Sequence, residues 1–351
     1  MGLVLLLAVL AFLGWFIPAR MGWLASDREE MIARYADAPS RFVEVDGVPM
    51  HVRIEGKGFP VVMFHGTTGV NLREWDPLAD RLKNEYMVVR MDWPPYGLTG
   101  ENPRGYTTPE AGRLVNRLLD QLKLDRVAVV ATSNGSNVAL EVNKANPGRI
   151  AAMAFSIIPL ERPSQTREVD WKLRWALAFH KAALPDYRPK IFYEWMYKDT
   201  GHRGWNPPDF LPQMSFDMIN LPNAIQNQNA FVADNTRLFK TTDVGAIAAE
   251  VKAPVLLQWC WEDTVISQGP DATVRRFTNT DVKVVEYQHV GHWPMWEIPD
   301  QFADDIRTFL KSVDLEGSQA PVAPNGSQAS AQPTTQATAQ ATTQPAARPG
   351  V

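Results

Sequence analysis

The chain has 351 residues, enough for one large α/β domain with an insertion or for two ordinary domains. Its 35 Lys and Arg against 39 Asp and Glu leave a net charge of -4, so there is no excess of cation to neutralise phosphates and nucleic acid is excluded as a general partner. The lone cysteine, Cys260, excludes an internal disulfide, a CxxC redox pair and a cysteine-based zinc site.

Residues 2–17 read GLVLLLAVLAFLGWFI, apolar and uncharged. About 16 residues at ~1.5 Å each reach ~24 Å, short of the ~30 Å hydrocarbon core. The weakly apolar patch 21–25 extends that reach if Arg20 snorkels. A single-pass membrane anchor over 1–25 is the favoured reading. Its rivals are a buried or interfacial helix and a cleaved signal peptide, which would leave a secreted or periplasmic protein. No Lys or Arg precedes the run, and Pro18, Ala19 and Arg20 make no clear cleavage site. Arg20, Arg28, Arg34 and Arg41 all follow it, a small bias that favours a cytoplasmic C-terminal side. Residues 26–40 then read as a tether.

From 41 to 315, short apolar strands alternate with helices. Residues 41–45 and 49–55 alternate in polarity around Asp46-Gly47 and predict a β-hairpin. Residues 60–64, 86–91, 126–131, 150–158, 254–259 and 282–287 read as buried strands. Residues 109–122 carry Ala111, Leu114, Leu118, Leu119 and Leu122 at helical spacing. Residues 138–145 form a second helix stopped by Asn146-Pro147-Gly148, and 301–313 a closing one. Such alternation implies a mostly parallel sheet with helices on both faces. Residues from about 161 to 250 break the rhythm and are rich in rings such as Trp171, Trp175, Phe179 and Trp195. They read as a helical lid insertion, with most rings in its core and a few lining an apolar substrate pocket. After Glu316 the chain is mainly Ala, Gln, Thr, Pro and Ser. That composition cannot offset chain entropy, so 316–351 reads as a disordered tail.

Chemistry points to 126–140, RVAVVATSNGSNVAL, where a strand turns sharply into a helix. Such a turn needs small residues two positions either side of its apex, and Ala131 and Gly135 flank Ser133 in that way. Ser133 would stand at a helix N-terminus, where free N–H groups favour developing negative charge. An ordinary N-cap serine is the plainer alternative. A serine hydroxyl needs a base. His292, in a loop between the strand 282–287 and the last helix, has the right context. His65, in His65-Gly66-Thr67, is a rival that suits a structural or oxyanion-loop role better. His51, His180, His202 and His289 read as surface or core residues. Asp263, at the C-terminal end of the strand 254–259, is the preferred acid, with Glu262 and Glu161 behind it. The backbone N–H groups of Asn134 and Thr67 are the natural oxyanion donors. No nucleotide or metal motif is present, so no cofactor and no metal are expected.

The stretches RFVEVDGVPMHVRIEG, VVMFHGTTG, VVATSNGSNVAL, PVLLQWCWEDTVIS and VGHWPMWEIPDQFADDIRTFL resemble the α/β-hydrolase superfamily, in its lid-bearing, esterase-like branch. The resemblance covers most of 41–160 and 250–313. It implies the α/β-hydrolase fold, with Ser133 as nucleophile, Asp263 as acid, His292 as base, and Thr67 with Asn134 as oxyanion donors. The apolar start also looks like that of membrane-attached bacterial hydrolases. Epoxide hydrolases and haloalkane dehalogenases of this fold carry Asp as nucleophile, so Ser133 disfavours those chemistries. Ala131, Cys260 and Pro95 stand where glycine is common, and none removes a catalytic atom. A thiol three residues before Asp263 is a place where modification would affect activity.

The expected function is a serine hydrolase acting on a small apolar ester through an acyl-enzyme. Other chemistries use the same residues: C–C bond hydrolysis, iminopeptidase action or cofactor-free peroxidation. An iminopeptidase needs acids in the lid to hold an amine, and Asp186, Glu194, Asp199, Asp209 and Asp217 read instead as solvated. A non-catalytic, membrane-tethered binding protein is the remaining alternative.

Overall fold

The computed structural model describes residues 1–67, 71–160, 171–266 and 269–316, apart from the side chains of residues 173, 180 and 244. The tail after Glu316, Glu161 and the side chain of His180 therefore lie outside the described residues. The chain opens with the apolar helix α1 (Gly2–Arg20) and a short helix α2 (Arg28–Tyr35). The Asp27 carboxylate caps α2 by accepting from the Glu30 N–H at 2.8 Å. Met31 and Tyr35 then bury themselves in the main core, so residues 26–40 are packed on the domain.

Strands β1 (Ser40–Val45) and β2 (Val48–Glu55) form the hairpin. Its turn puts Asp46 at φ 50° and Gly47 at φ 87°, left-handed values that an Asp-Gly pair tolerates. There follow β3 (Pro60–Phe64), α3 (Asp76–Leu82), β4 (Met87–Met91), α4 (Thr108–Gln121), β5 (Val127–Thr132), α5 (Ser133–Ala145) and β6 (Ile150–Ser156). The inserted helices are α6 (Trp171–Ala183), α7 (Lys190–Thr200), α8 (Phe210–Ile219) and α9 (Ala224–Thr241). The chain then returns through β7 (Val255–Cys260), α10 (Pro270–Val274), β8 (Val282–Tyr287), α11 (Pro294–Glu297) and α12 (Pro299–Ser312).

The eight strands form one sheet in the order β1-β2-β4-β3-β5-β6-β7-β8. β2 is antiparallel to both its neighbours, and every pair from β4 to β8 is parallel. The central strand β5 is buried at all six positions, as a near-continuous apolar run covered on both faces should be. Helix α4 packs on α5, and α3 packs on α12. β6 ends at Ser156 rather than at residue 158, because Ile157 turns to φ 55° and leaves the strand. α5 begins at Ser133, five residues before the apolar period starts. The polar head SNGSN hides that first turn from a periodicity reading, yet Gly135 and Ser136 are buried there.

The inserted helices are tied to the sheet by specific groups. Asn235 on α9 accepts from the Thr108 N–H at 3.1 Å and donates to the Tyr106 carbonyl at 3.0 Å. Asp217 on α8 is buried and accepts from Tyr35 at 2.6 Å and Arg34 at 2.8 Å. It is thus a packed anchor for α2, and not a solvated surface acid.

Candidate active site

The parallel register puts the C-terminal ends of β5, β7 and β8 along one edge of the sheet. Ser133 follows β5 directly and takes φ 48°, a left-handed value sparsely populated by non-glycine residues. Tight packing around it leaves room only for small neighbours. Ala131 is fully buried, and a Cβ on Gly135 would collide with the carbonyl oxygens of His65 and Phe64. α5 therefore sits directly on the end of β3. Gly66 lies against the serine, since a Cβ there would come 3.4 Å from the Ser133 Cβ.

His292 follows β8, and its Nδ1 lies 2.7 Å from Oδ2 of Asp263, which follows β7. The two side chains are 3% and 2% exposed. The other carboxylate oxygen of Asp263 accepts from the N–H groups of Val265 at 2.5 Å and Ile266 at 3.2 Å, which aims Oδ2 at the imidazole. Burial opposes protonation of His292, but the Asp263, Glu74 and Glu297 carboxylates together outweigh it, and the pKa is raised above the ordinary value. Among the described residues the Ser133 hydroxyl has no hydrogen-bond partner, so no bond links it to His292 in this structure. In enzymes without substrate such contacts are often long.

Thr67 and Asn134 are brought together: the Asn134 side-chain amide donates to the Thr67 hydroxyl at 3.2 Å. The Gly66 N–H already donates to Glu74 at 3.1 Å. Glu74 is fully buried, and its second carboxylate oxygen has no partner. Burial pushes its pKa up to about 7, with the Gly66 N–H and His292 pulling it back. The sequence reading passed over Glu74. The only signal is its place eight residues after Gly66, between Arg73 and Trp75 in the 3-10 turn Leu72–Trp75.

Glu297, on α11, was also missed. Its carboxylate accepts from the N–H groups of Gly291 and Trp293, both at 2.9 Å, on either side of His292. It also accepts from the His202 N–H at 2.9 Å and faces the His202 ring at 2.5 Å. The His292 N–H donates to the Thr200 carbonyl at 2.8 Å. One carboxylate thus fastens the His292 loop to the end of α7, and Gly291 allows the approach: a Cβ there would run into the backbone of Gly201 and His202.

The remaining candidates fall outside this cluster. His65 is buried, stacks on Trp93 at 5.3 Å and hydrogen-bonds the Gly66 carbonyl at 2.7 Å. Burial lowers its pKa, so it stays neutral and braces the loop. His51 pairs with Asp92 at 2.7 Å in the core, and Asp92 also accepts from Leu72 and Leu98 N–H groups at 2.5 and 2.8 Å. Glu262 faces His289 at 3.1 Å and the Arg203 N–H at 2.7 Å, away from His292. Cys260 is buried, and burial pushes its thiol pKa up, so the modification foreseen there is blocked in the folded chain. Among the described residues no cluster of three or more His, Cys, Asp or Glu could hold a metal ion.

Residues 61–305 match the model of an alpha/beta hydrolase family. The chain is 24% identical over 281 residues to pyrrolizixenacetamide deacetylase of Xenorhabdus hominickii, covering 78% of this chain and 98% of that protein. It is 26% identical over 293 residues to a 2-hydroxy-6-oxononadienedioate/2-hydroxy-6-oxononatrienedioate hydrolase of Dechloromonas aromatica (strain RCB), covering 78% and 96%. The crystal structure of a membrane phospholipase A, a bacterial virulence factor, superposes with a TM-score of 0.63 at 21% identity, over 89% of this chain and 97% of that one. A sheet of this order, a strained serine at the head of α5, and a family match that spans most of the domain lead to one conclusion: the chain belongs to the alpha/beta hydrolase family.

Proposed function

We propose that this hydrolase is a serine esterase that works through an acyl-enzyme, with Ser133, His292 and Asp263 as its triad. The observation that carries the proposal is the buried His292–Asp263 pair, 2.7 Å apart, on the sheet edge where Ser133 occupies its strained turn. In this reading Ser133 Oγ attacks the ester carbonyl carbon and its proton passes to Nε2 of His292. Asp263 holds the tautomer and stabilises the imidazolium. The oxyanion takes hydrogen bonds from the N–H groups of Thr67 and Asn134. Two features support those donors: Glu74 occupies the Gly66 N–H, and first-turn helix N–H groups have no intrahelical partner. Collapse breaks the carbon–oxygen bond, and His292 gives its proton to the departing alkoxide. Water then attacks the acyl carbon, loses a proton to His292, and releases the acid as Ser133 regains its hydrogen.

A fluorophosphonate probe tests this reading. Capture is expected at Ser133, lost in Ser133→Ala and slowed at least about 10³-fold in His292→Ala. Labelling of another serine would sink the assignment. Similarity to the oxononadienedioate hydrolase supports a second reading, C–C bond hydrolysis by the same residues. A panel of p-nitrophenyl esters and vinylogous diketones separates the two. The inserted helices act as a lid in either case.

We also infer that α1 is a retained membrane anchor. Its 19 residues span ~28 Å, close to the ~30 Å hydrocarbon core. Ala19, Leu184 and Tyr187 form a small apolar cluster joined by Trp15 and Phe16, so α1 is packed on the domain that signal cleavage would strip it from.

A further inference from the structure

The end of α1 and the inserted helices share an exposed apolar face that the proposed triad does not use. Helix α6 shows almost all of its described residues to solvent. Trp171, Trp175 and Phe179 recur every fourth position, so they lie on one side of it. They are 65%, 71% and 42% exposed, and Ile191 on α7 is 46% exposed. With Trp15 and Trp195 they line an open groove of about 600 Å³. Single exposed rings are ordinary on soluble proteins, but a contiguous run of this kind marks an interaction surface.

Three observations identify the partner. First, among the described residues α1 is exposed along its apolar length and touches the domain only near its end, where Phe16 meets Phe179 at 6.4 Å and Trp15 meets Tyr187 at 6.3 Å. The groove therefore lies at the level where α1 leaves its own surroundings. Second, tryptophan at that level is the residue that membrane–water interfaces favour. Third, α6 carries Lys172, Arg174 and Lys181 and no acidic residue, the charge pattern of a helix that lies on an anionic lipid surface.

We propose that the α6–α7 face is a bilayer-docking surface: α6 lies in the interfacial region of an anionic phospholipid membrane, and acyl chains fill the groove against Trp15. The proposal rests on the reading of α1 as an anchor. It also couples membrane to site. Ile191 and Trp195 occupy one side of α7, while Tyr197 and Thr200 on the other side contact Trp293 and His292, so about one helix diameter, ~10 Å, separates the docked face from the His292 loop.

The test uses the full-length protein in vesicles of phosphatidylcholine and phosphatidylglycerol at 3:1. Cys260 is buried, so Phe179→Cys can carry an environment-sensitive fluorophore alone, with Trp171→Cys as a second site on the same face. Lys283→Cys, on the exposed side of β8, is the aqueous control. Expected are a blue-shifted emission at 179 and 171, quenching by acyl-brominated lipid, and at least threefold weaker quenching by iodide than at 283. Pure phosphatidylcholine should weaken the effect. If both labels remain as open to iodide as the control while the protein resists carbonate extraction, docking is refuted and the anchor stands. Release of the protein by carbonate refutes the anchor and, with it, this proposal.

Discussion

Two buried carboxylates bear on His292. Asp263 is aligned by two N–H groups and by the imidazole itself, and it raises the histidine pKa. Glu74 has one N–H and an unpartnered oxygen, and burial holds it half-protonated near neutrality, at about 7. With Glu297, these are the charged groups that act on the imidazole from three separate elements. In Glu74→Gln the histidine loses the partial charge of this half-ionised carboxyl, so the acid limb of kcat/KM should move to lower pH by about half a unit at most. Asp263→Asn should move it further and cost about 10³–10⁴-fold in kcat. An unmoved limb in Glu74→Gln would show that Glu74 is electrically uncoupled from His292. Stability offers a separate reading. A free glutamate ionises near 4.5, whereas folded Glu74 keeps its proton to about 7. Between those values the folded chain binds more protons than the unfolded one, so the native state loses stability as pH rises. Glu74→Gln should remove that loss. Its advantage over the parent, by chemical denaturation, should be absent at pH 4 and on the order of 3 kcal/mol at pH 8. Asp263 and His292 were legible because each follows a recognisable strand. Glu74 was not, because its meaning depends on Gly66 and His292, which only folding brings near.

At the scale of elements, the sheet was readable almost strand by strand, since buried parallel strands are short apolar runs bounded by polar turns. The helices of the insertion were readable only as a class. Their rings gave no indication that Thr200 and His202 at the end of α7 would hold the His292 loop, a contact between segments about ninety residues apart. That junction depends on Gly291. Gly291→Ala would force the loop away from Gly201, and overpacking of this kind costs about 1–3 kcal/mol. A lower melting temperature and at least a tenfold lower kcat are expected together. A variant that loses stability at full activity would show that the junction does not position His292.

For the whole molecule, one thiol reports on the integrity of the sheet. Cys260 ends β7, is 2% exposed, and pairs in register with Tyr287 of β8. A thiol reagent such as Ellman's should find no reactive group in the native protein and one after denaturation, with the rate of reaction following global opening. Rapid reaction in the native state would mean that β7 and β8 open locally beside Asp263.

The sequence by itself determined the alternation of strand and helix, the hairpin turn, the apolar start, and the turn that carries Ser133. Each of these is a local property, set by backbone sterics and by the period of burial within one segment. Only the tertiary structure decided which carboxylates surround His292, that Glu297 fastens its loop to α7, that Cys260 is shielded, and that α1 ends against exposed rings of α6. Those are matters of proximity between distant segments. Burial and charge act through space, and a linear pattern carries no distance between residues that only the fold makes neighbours.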